Sequence, residues 1–245
     1  MFFKSHGKGC ALVFIHGAYG SHNLWNRQTS FFSSKYDVIT VDVRGHGLSF
    51  KPRRGYELEK MVEDIMMLLD HLKIESAVFV GSSMGGVIAQ MIGIKYPLRV
   101  KALVLVGTLA KAVWYGRAKE IAETALAGGY QKGVRGWFTP NSSKEDIKVA
   151  LREAAKTSEL FLRGVIMENP NWDIRREISA IQAPTLIVVG KGDVNTTPVK
   201  ESRIIHRRIS HSQMKVVPNS GHLVMLEEPE IFNRIVDEFL VKNLR

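Results

Sequence analysis

The chain has one cysteine, Cys10, in 245 residues. That count excludes an internal disulfide and any zinc site built from cysteines. Cys10 opens an apolar run and reads as a small buried side chain rather than a reactive thiol. No apolar run approaches the roughly 20 residues of a membrane-spanning helix; the longest are of strand length. The N-terminal MFFKSHGKGC lacks an apolar core of signal-peptide length, so a cytoplasmic protein is expected. Acidic side chains are scarce beside basic ones, 24 against 34, which leaves a net charge of +10. Such a balance favours an acidic partner. However, no zinc-finger, RNP or basic-region pattern is present and the cations are spread along the chain, which argues against nucleic acid. Internal repeats and low-complexity tracts are also missing.

What remains is the composition of a globular protein, 45% hydrophobic and 24% charged, long enough to bury a substantial core. Short apolar runs alternate with helical patterns. Strands are expected at Ala11–Ile15, Asp37–Val41, Ala77–Val80, Val100–Val106, Thr185–Val189 and Met214–Val217. Several are apolar on consecutive residues, as in parallel sheets covered on both faces. Helices are expected at Leu58–Leu72, Met84–Lys95, Pro198–Ile209 and Ile231–Val241, with Pro97 closing the second and Pro229 preceding the last. The alternation predicts a mostly parallel α/β sheet with helices on both faces. Residues 109–182 break it, with helical patterns, no convincing strand and several large aromatics. They read as a helical insertion in a core made of residues 1–108 and 183–245.

The stretch GSSMGG (Gly81–Gly86) directly follows the run SAVFV. It matches G-x-S-x-G with Ser83 at the centre; Ser82 does not fit, because Val80 stands two residues before it. The bare pattern arises by chance often enough to prove little. Its position between an apolar strand and the helix MGGVIAQMIGIKY is what gives it weight, because a nucleophile elbow belongs there. A sharp strand-to-helix turn strains the central residue and crowds its neighbours, and glycines at 81 and 85 remove the clashing Cβ atoms. A plain glycine-rich turn is the alternative.

A serine hydroxyl needs a base, and the base needs an orienting acid. In Ser–Asp–His chain order, the acid should follow a later strand. TLIVVGKGD supplies Asp193, and the last strand is followed by His222 in a Pro/Asn/Ser/Gly loop. Asp70 and Asp237 fall on helices and are expected to face solvent, and His206 and His211 lie in a basic surface stretch. For an oxyanion, the candidate donors are the backbone N–H groups of Met84 and of Ala18 in FIHGAYG. His16 in the same loop reads as a structural brace.

Taken jointly, HGAYGSHNLW, DVRGHGLS, GSSMGGVIAQ, TLIVVGKGD and NSGHLVMLEEPE resemble the α/β-hydrolase family, in that family's order and over almost the whole chain. The resemblance implies a serine hydrolase with Ser83, Asp193 and His222 as its triad and residues 109–182 as a helical cap. It implies acyl transfer to water through an acyl-enzyme, with no cofactor and no metal. Arg44, Gly45, His46 and Gly47 resemble the family's structural loop. The family usually opens with an antiparallel strand pair; about ten residues precede the first strand here, so one strand is expected to be missing. A serine at the elbow disfavours the family branches whose nucleophile is Asp. Small carboxylesterases, enol-lactonases and the pimeloyl-carrier-protein methyl esterase are the most similar branches. Carbon–carbon hydrolases share SMGG but commonly carry Asn where Ser82 stands, and a ligand-binding signalling module is the reading from another class.

Tyr19, Trp114, Trp137 and Phe138 are the candidate substrate-binding side chains, as the wall of an apolar pocket for a small-molecule ester. Lys144, Lys148, Arg152 and Lys156 recur every four residues in SKEDIKVALREAAK. On a helix they would form a basic stripe that could dock an acidic carrier protein. With Glu145, Asp146 and Glu153 beside them, a solvated face is the plainer reading. The oligomeric state has no signal in the sequence.

Overall fold

The computed structural model describes residues 1–113 and 115–244. The chain opens with strands β1 (Phe2–His6) and β2 (Ala11–Ile15), helix α1 (Asn26–Phe32) and strand β3 (Asp37–Asp42). Helix α2 (Leu58–His71), strand β4 (Ala77–Ser82), helix α3 (Met84–Lys95) and strand β5 (Val100–Val106) follow. Three helices come next: α4 (Ala118–Arg135), α5 (Lys144–Ala154) and α6 (Phe161–Glu168). The chain closes with β6 (Thr185–Gly190), α7 (Val199–Arg208), β7 (Ser212–Val217), α8 (Val224–Glu227) and α9 (Pro229–Asn243).

The strands form one sheet in the order β1-β3-β2-β4-β5-β6-β7. Every neighbouring pair is parallel except β1 with β3. Only β1 stands before β2, in place of the usual antiparallel pair. The consecutive apolar residues of β2, β4 and β6 are buried without alternation, because helices cover both faces of the sheet. One apolar layer joins Val13, Ile39, Phe79 and Leu105 to α2 and α3. The opposite layer joins Leu12, Phe14, Val78 and Val104 to Trp25, Phe32 and α9. Cys10 is only half-buried, because it sits at the sheet's amino edge beside Tyr36 and Leu240.

Parallel strands align their carboxyl ends, so the loops after β2, β4, β5, β6 and β7 meet along one edge. Between β5 and β6 the chain runs through α4, α5 and α6, and its one isolated bridge among the described residues joins Lys111 to Asp173. No helix among the described residues is long and apolar enough to cross a membrane.

Candidate active site

Ser83 alone makes the turn from β4 to α3, at φ 52° and ψ −117°. A non-glycine residue held there costs about 1–3 kcal/mol, so the surroundings must enforce it. They do so by proximity. A Cβ on Gly81 would fall 2.2 Å from the Gly85 carbonyl oxygen, and one on Gly85 would fall 2.1 Å from that of Ile15. The turn is tied to β5 as well, because Ser83 N–H donates to the Val106 carbonyl at 2.8 Å and Thr108 Oγ1 donates to the Ser83 carbonyl at 2.7 Å.

Asp193 follows β6 and His222 follows β7, and the structure brings the two together with Nδ1 to Oδ2 at 2.6 Å. Both are almost fully buried. Burial disfavours the Asp193 charge, but hydrogen bonds from His222 and Thr197 outweigh it and hold the carboxyl below its usual range. The other oxygen, Oδ1, accepts the backbone N–H groups of Thr196 at 3.2 Å and Thr197 at 3.0 Å. The Thr197 hydroxyl also donates to Asp193 Oδ2. Between this pair and Ser83 lies the end of β5: a Cβ on Gly107 would stand 3.2 Å from His222 Nδ1. The His222 loop is pinned on both sides, with His222 N–H donating to the Trp137 carbonyl at 2.7 Å and Gly221 N–H to Glu227 Oε1 at 3.0 Å. Thr197 belongs to no motif in the sequence, and Glu227 falls in NSGHLVMLEEPE without a role of its own there.

Met84 is the first residue of α3, where backbone N–H groups have no partner within the helix. Ala18 lies in the loop after β2, braced by two buried histidines. His16 Nε2 accepts Val43 N–H at 3.0 Å, so Nδ1 carries the proton and donates to the Gly17 carbonyl at 2.7 Å. His46 Nε2 accepts Tyr19 N–H at 3.1 Å. Burial lowers both imidazole pKa values, that of His46 well below the usual range, so both are neutral braces. Asp70, His206 and His211 are exposed, and Asp237 pairs with Lys35.

A cavity of about 670 Å³ opens over Ser83, Met84 and Ala18. Its walls include Tyr19, Trp137, Leu162, Val165 and Trp172. Tyr19 is desolvated enough that its pKa is pushed up to about 12. Phe138 corrects an expectation: it does not line the cavity but packs, half-buried, against the apolar layer below α4, while its neighbour Trp137 takes the wall. Trp114 lies outside the described residues. No group of three metal-ligating side chains occurs among those described.

A family model for the alpha/beta hydrolase fold matches residues 11–163. The chain belongs to the alpha/beta hydrolase family. A 3-oxoadipate enol-lactonase of Acinetobacter baylyi is 32% identical over 93% of this chain and 87% of its own. A pimeloyl-[acyl-carrier protein] methyl ester esterase of Legionella pneumophila is 27% identical over 96% and 97%. A thermophilic esterase from Thermogutta terrifontis superposes with a TM-score of 0.89 at 26% identity, covering 98% of this chain and 93% of that one.

In this alpha/beta hydrolase polar side chains help to fasten the segment that carries α4, α5 and α6 between β5 and β6. Glu153 of α5 is 1% exposed and accepts hydrogen bonds from Ser21 Oγ at 2.6 Å and Asn23 Nδ2 at 3.1 Å. Asp146, also buried, pairs with Arg27 at 3.0 Å. Lys144, Glu145, Lys148 and Arg152 do form an exposed face, whereas Asp146 and Glu153 fall on the opposite, buried side with Ala150 and Ala154, where α5 docks on the His22–Trp25 turn. The basic stripe is partly spent on the same contacts. Arg152 and Lys156 both bind Glu153, Lys148 lies 3.7 Å from Glu145, and Lys156 falls beyond the end of the helix.

Proposed function

We propose that this hydrolase cleaves carboxylic esters by acyl transfer to water, with Ser83 as nucleophile, His222 as general base and Asp193 as its orienting acid. The observation that carries the reading is the strained Ser83 turn opening on an apolar cavity, at the sheet edge that also holds the buried Asp193–His222 pair. His222 takes the Ser83 proton as the hydroxyl attacks the ester carbonyl. The oxyanion that forms is held by the N–H groups of Ala18 and Met84, and His222 returns the proton to the departing alcohol. Water then repeats the sequence on the acyl-enzyme. Asp193, kept ionised by its partners, fixes the tautomer of His222 and stabilises its cation. Residues 109–182 act as the cap, with Tyr19, Trp137 and Trp172 as walls for an apolar acyl group.

The test is hydrolysis of p-nitrophenyl esters from acetate to octanoate by wild type and Ser83→Ala. Loss of about 10⁴–10⁶-fold in kcat is expected for the variant. Equal activity in the two proteins would remove Ser83 from the reaction. A cyclic enol ester is the second reading, favoured by the 32% identity to an enol-lactonase. It uses the same residues and differs only in that the leaving enol stays tethered to the acyl group. Preference for an enol-lactone over a linear ester of equal size would decide for it. A carrier-linked ester is supported by the esterase relative, but the ion pairs on α5 leave less free charge than the stripe suggests.

A further inference from the structure

The loop after β3 ends in an unusual sequence, Leu48-Ser49-Phe50-Lys51-Pro52-Arg53-Arg54. Leu48 is 65% exposed and Phe50 79%. Lys51, Arg53 and Arg54 are exposed beside them. Helix α6 lies along this loop. Ser158 N–H donates to the Gly45 carbonyl at 2.7 Å, and Gly45 N–H donates in turn to the Phe50 carbonyl at 2.9 Å. At the other end of α6, Glu168 accepts Gly55 N–H at 3.0 Å. The outward residues Leu160, Arg163 and Met167 recur at helical spacing, with Leu160 48% and Met167 45% exposed. Four exposed apolar side chains and four cations thus lie on two segments that hydrogen bonds hold together, the loop after β3 and α6.

Acids nearby are already committed. Asp64 binds Arg44, Glu57 binds Lys60, and Glu168 binds the amides of Gly55 and Tyr56. Arg53, Arg54 and Arg163 have no acidic partner among the described residues; Glu159 and Glu59 stand exposed at the margin. Exposed apolar side chains interspersed with cations that lack an acidic partner are unfavourable in water and suit an anionic lipid interface. There the apolar side chains enter the acyl boundary and the cations meet headgroup phosphates.

We propose that this surface seats the protein peripherally on bilayers rich in anionic phospholipid, with Phe50 and Leu160 entering the interface and Lys51, Arg53, Arg54 and Arg163 holding headgroups. The inner face of α6 contributes Leu162 and Val165 to the cavity wall, so the helix that meets lipid also borders the cavity. Binding of this kind is independent of the ester reading, and its test does not need turnover.

The measurement is co-sedimentation of the full chain with phosphatidylglycerol vesicles and, separately, phosphatidylcholine vesicles at about 0.1 M salt. Wild type should pellet with the anionic vesicles and stay largely in solution with the zwitterionic ones. The double variant Arg53→Glu/Arg54→Glu should weaken partitioning at least tenfold. Phe50→Ser/Leu160→Ser should weaken it to a similar degree, with less sensitivity to salt. Both pairs are solvent-exposed, so unchanged thermal unfolding verifies that the fold is intact. Wild type remaining in solution with anionic vesicles overturns the proposal. So does variant binding equal to wild type, or equal binding to both lipids.

Discussion

Thr197 touches Asp193 with both its backbone N–H and its hydroxyl, and stands 3.2 Å from His222 Nδ1. A carboxylate that accepts so many donors is both ionised and immobile. Thr197→Val keeps the shape and removes the hydroxyl, so kcat on a p-nitrophenyl ester should fall about tenfold with KM little changed, because only positioning is lost. The sign of the pH effect follows from the bonds. Removing a donor that favours the charged form raises the Asp193 pKa, so the Asp193 carboxyl should titrate at higher pH in the variant, as read by carboxyl NMR. An unaltered carboxyl titration would leave Thr197 with packing alone. Ser83, Asp193 and His222 were legible because each sits at a strand end within a recognisable pattern. Thr197 was not, since a threonine in a loop carries no motif. The available hint was Asp193 followed three and four residues later by threonines just before a helix, the spacing at which a side-chain carboxylate accepts backbone N–H groups.

At the scale of elements, α5 gives the sharpest difference between pattern and structure. Its period places charged residues together, and charge alone reads as solvated. Glu153 is nevertheless buried, because Ser21 and Asn23, some 130 residues away in sequence, supply its donors. No local period encodes a contact of that range. Although burial resists its charge, bonds from Lys156, Ser21, Asn23 and Arg152 bring the Glu153 pKa down to about 2. A depressed carboxylate pKa contributes stability above the ordinary glutamate range and loses it as pH falls from about 4.5 toward 2. Glu153→Gln should therefore lower Tm at neutral pH and bring the two proteins together on acidification. A gap in Tm that persists at pH near 2 would mean that the charge is not what holds α5. Strand β1 is the one strand that the resemblance leaves of the opening pair, but its bounds carry no local signal for a related reason. Five residues with a half-exposed, half-polar pattern are too short to establish a period, and only pairing with β3 makes them a strand.

Across the whole molecule two kinds of cohesion divide the chain. The central strands are covered by apolar side chains on both faces, so opening them exposes most of the core at once. The segment carrying α4, α5 and α6 joins these layers through fewer apolar side chains, among them Ala150, Ala154, Phe161 and Val165, and adds polar ties through Glu153, Asp146 and Glu168. Amide exchange should accordingly be slowest in β2, β4, β5 and β6 and at least a hundredfold faster in α5, which opens without global unfolding. Equal protection would indicate one cooperative unit. The alternation of strands and helices made this division legible in outline, since residues 109–182 interrupt it; the polar character of the joint was hidden in residues that look like ordinary surface. One contact in that joint has a wider consequence. The Trp137 carbonyl accepts the His222 N–H, so the backbone that walls the cavity and the backbone that carries the imidazole are a single tied object. Any displacement of that wall drags the imidazole or breaks the tie. With His222 in its proposed role as base, the tie would work as an interlock: an enclosure standing ajar would also hold its proton acceptor out of register, and stray water entering would meet a disarmed serine.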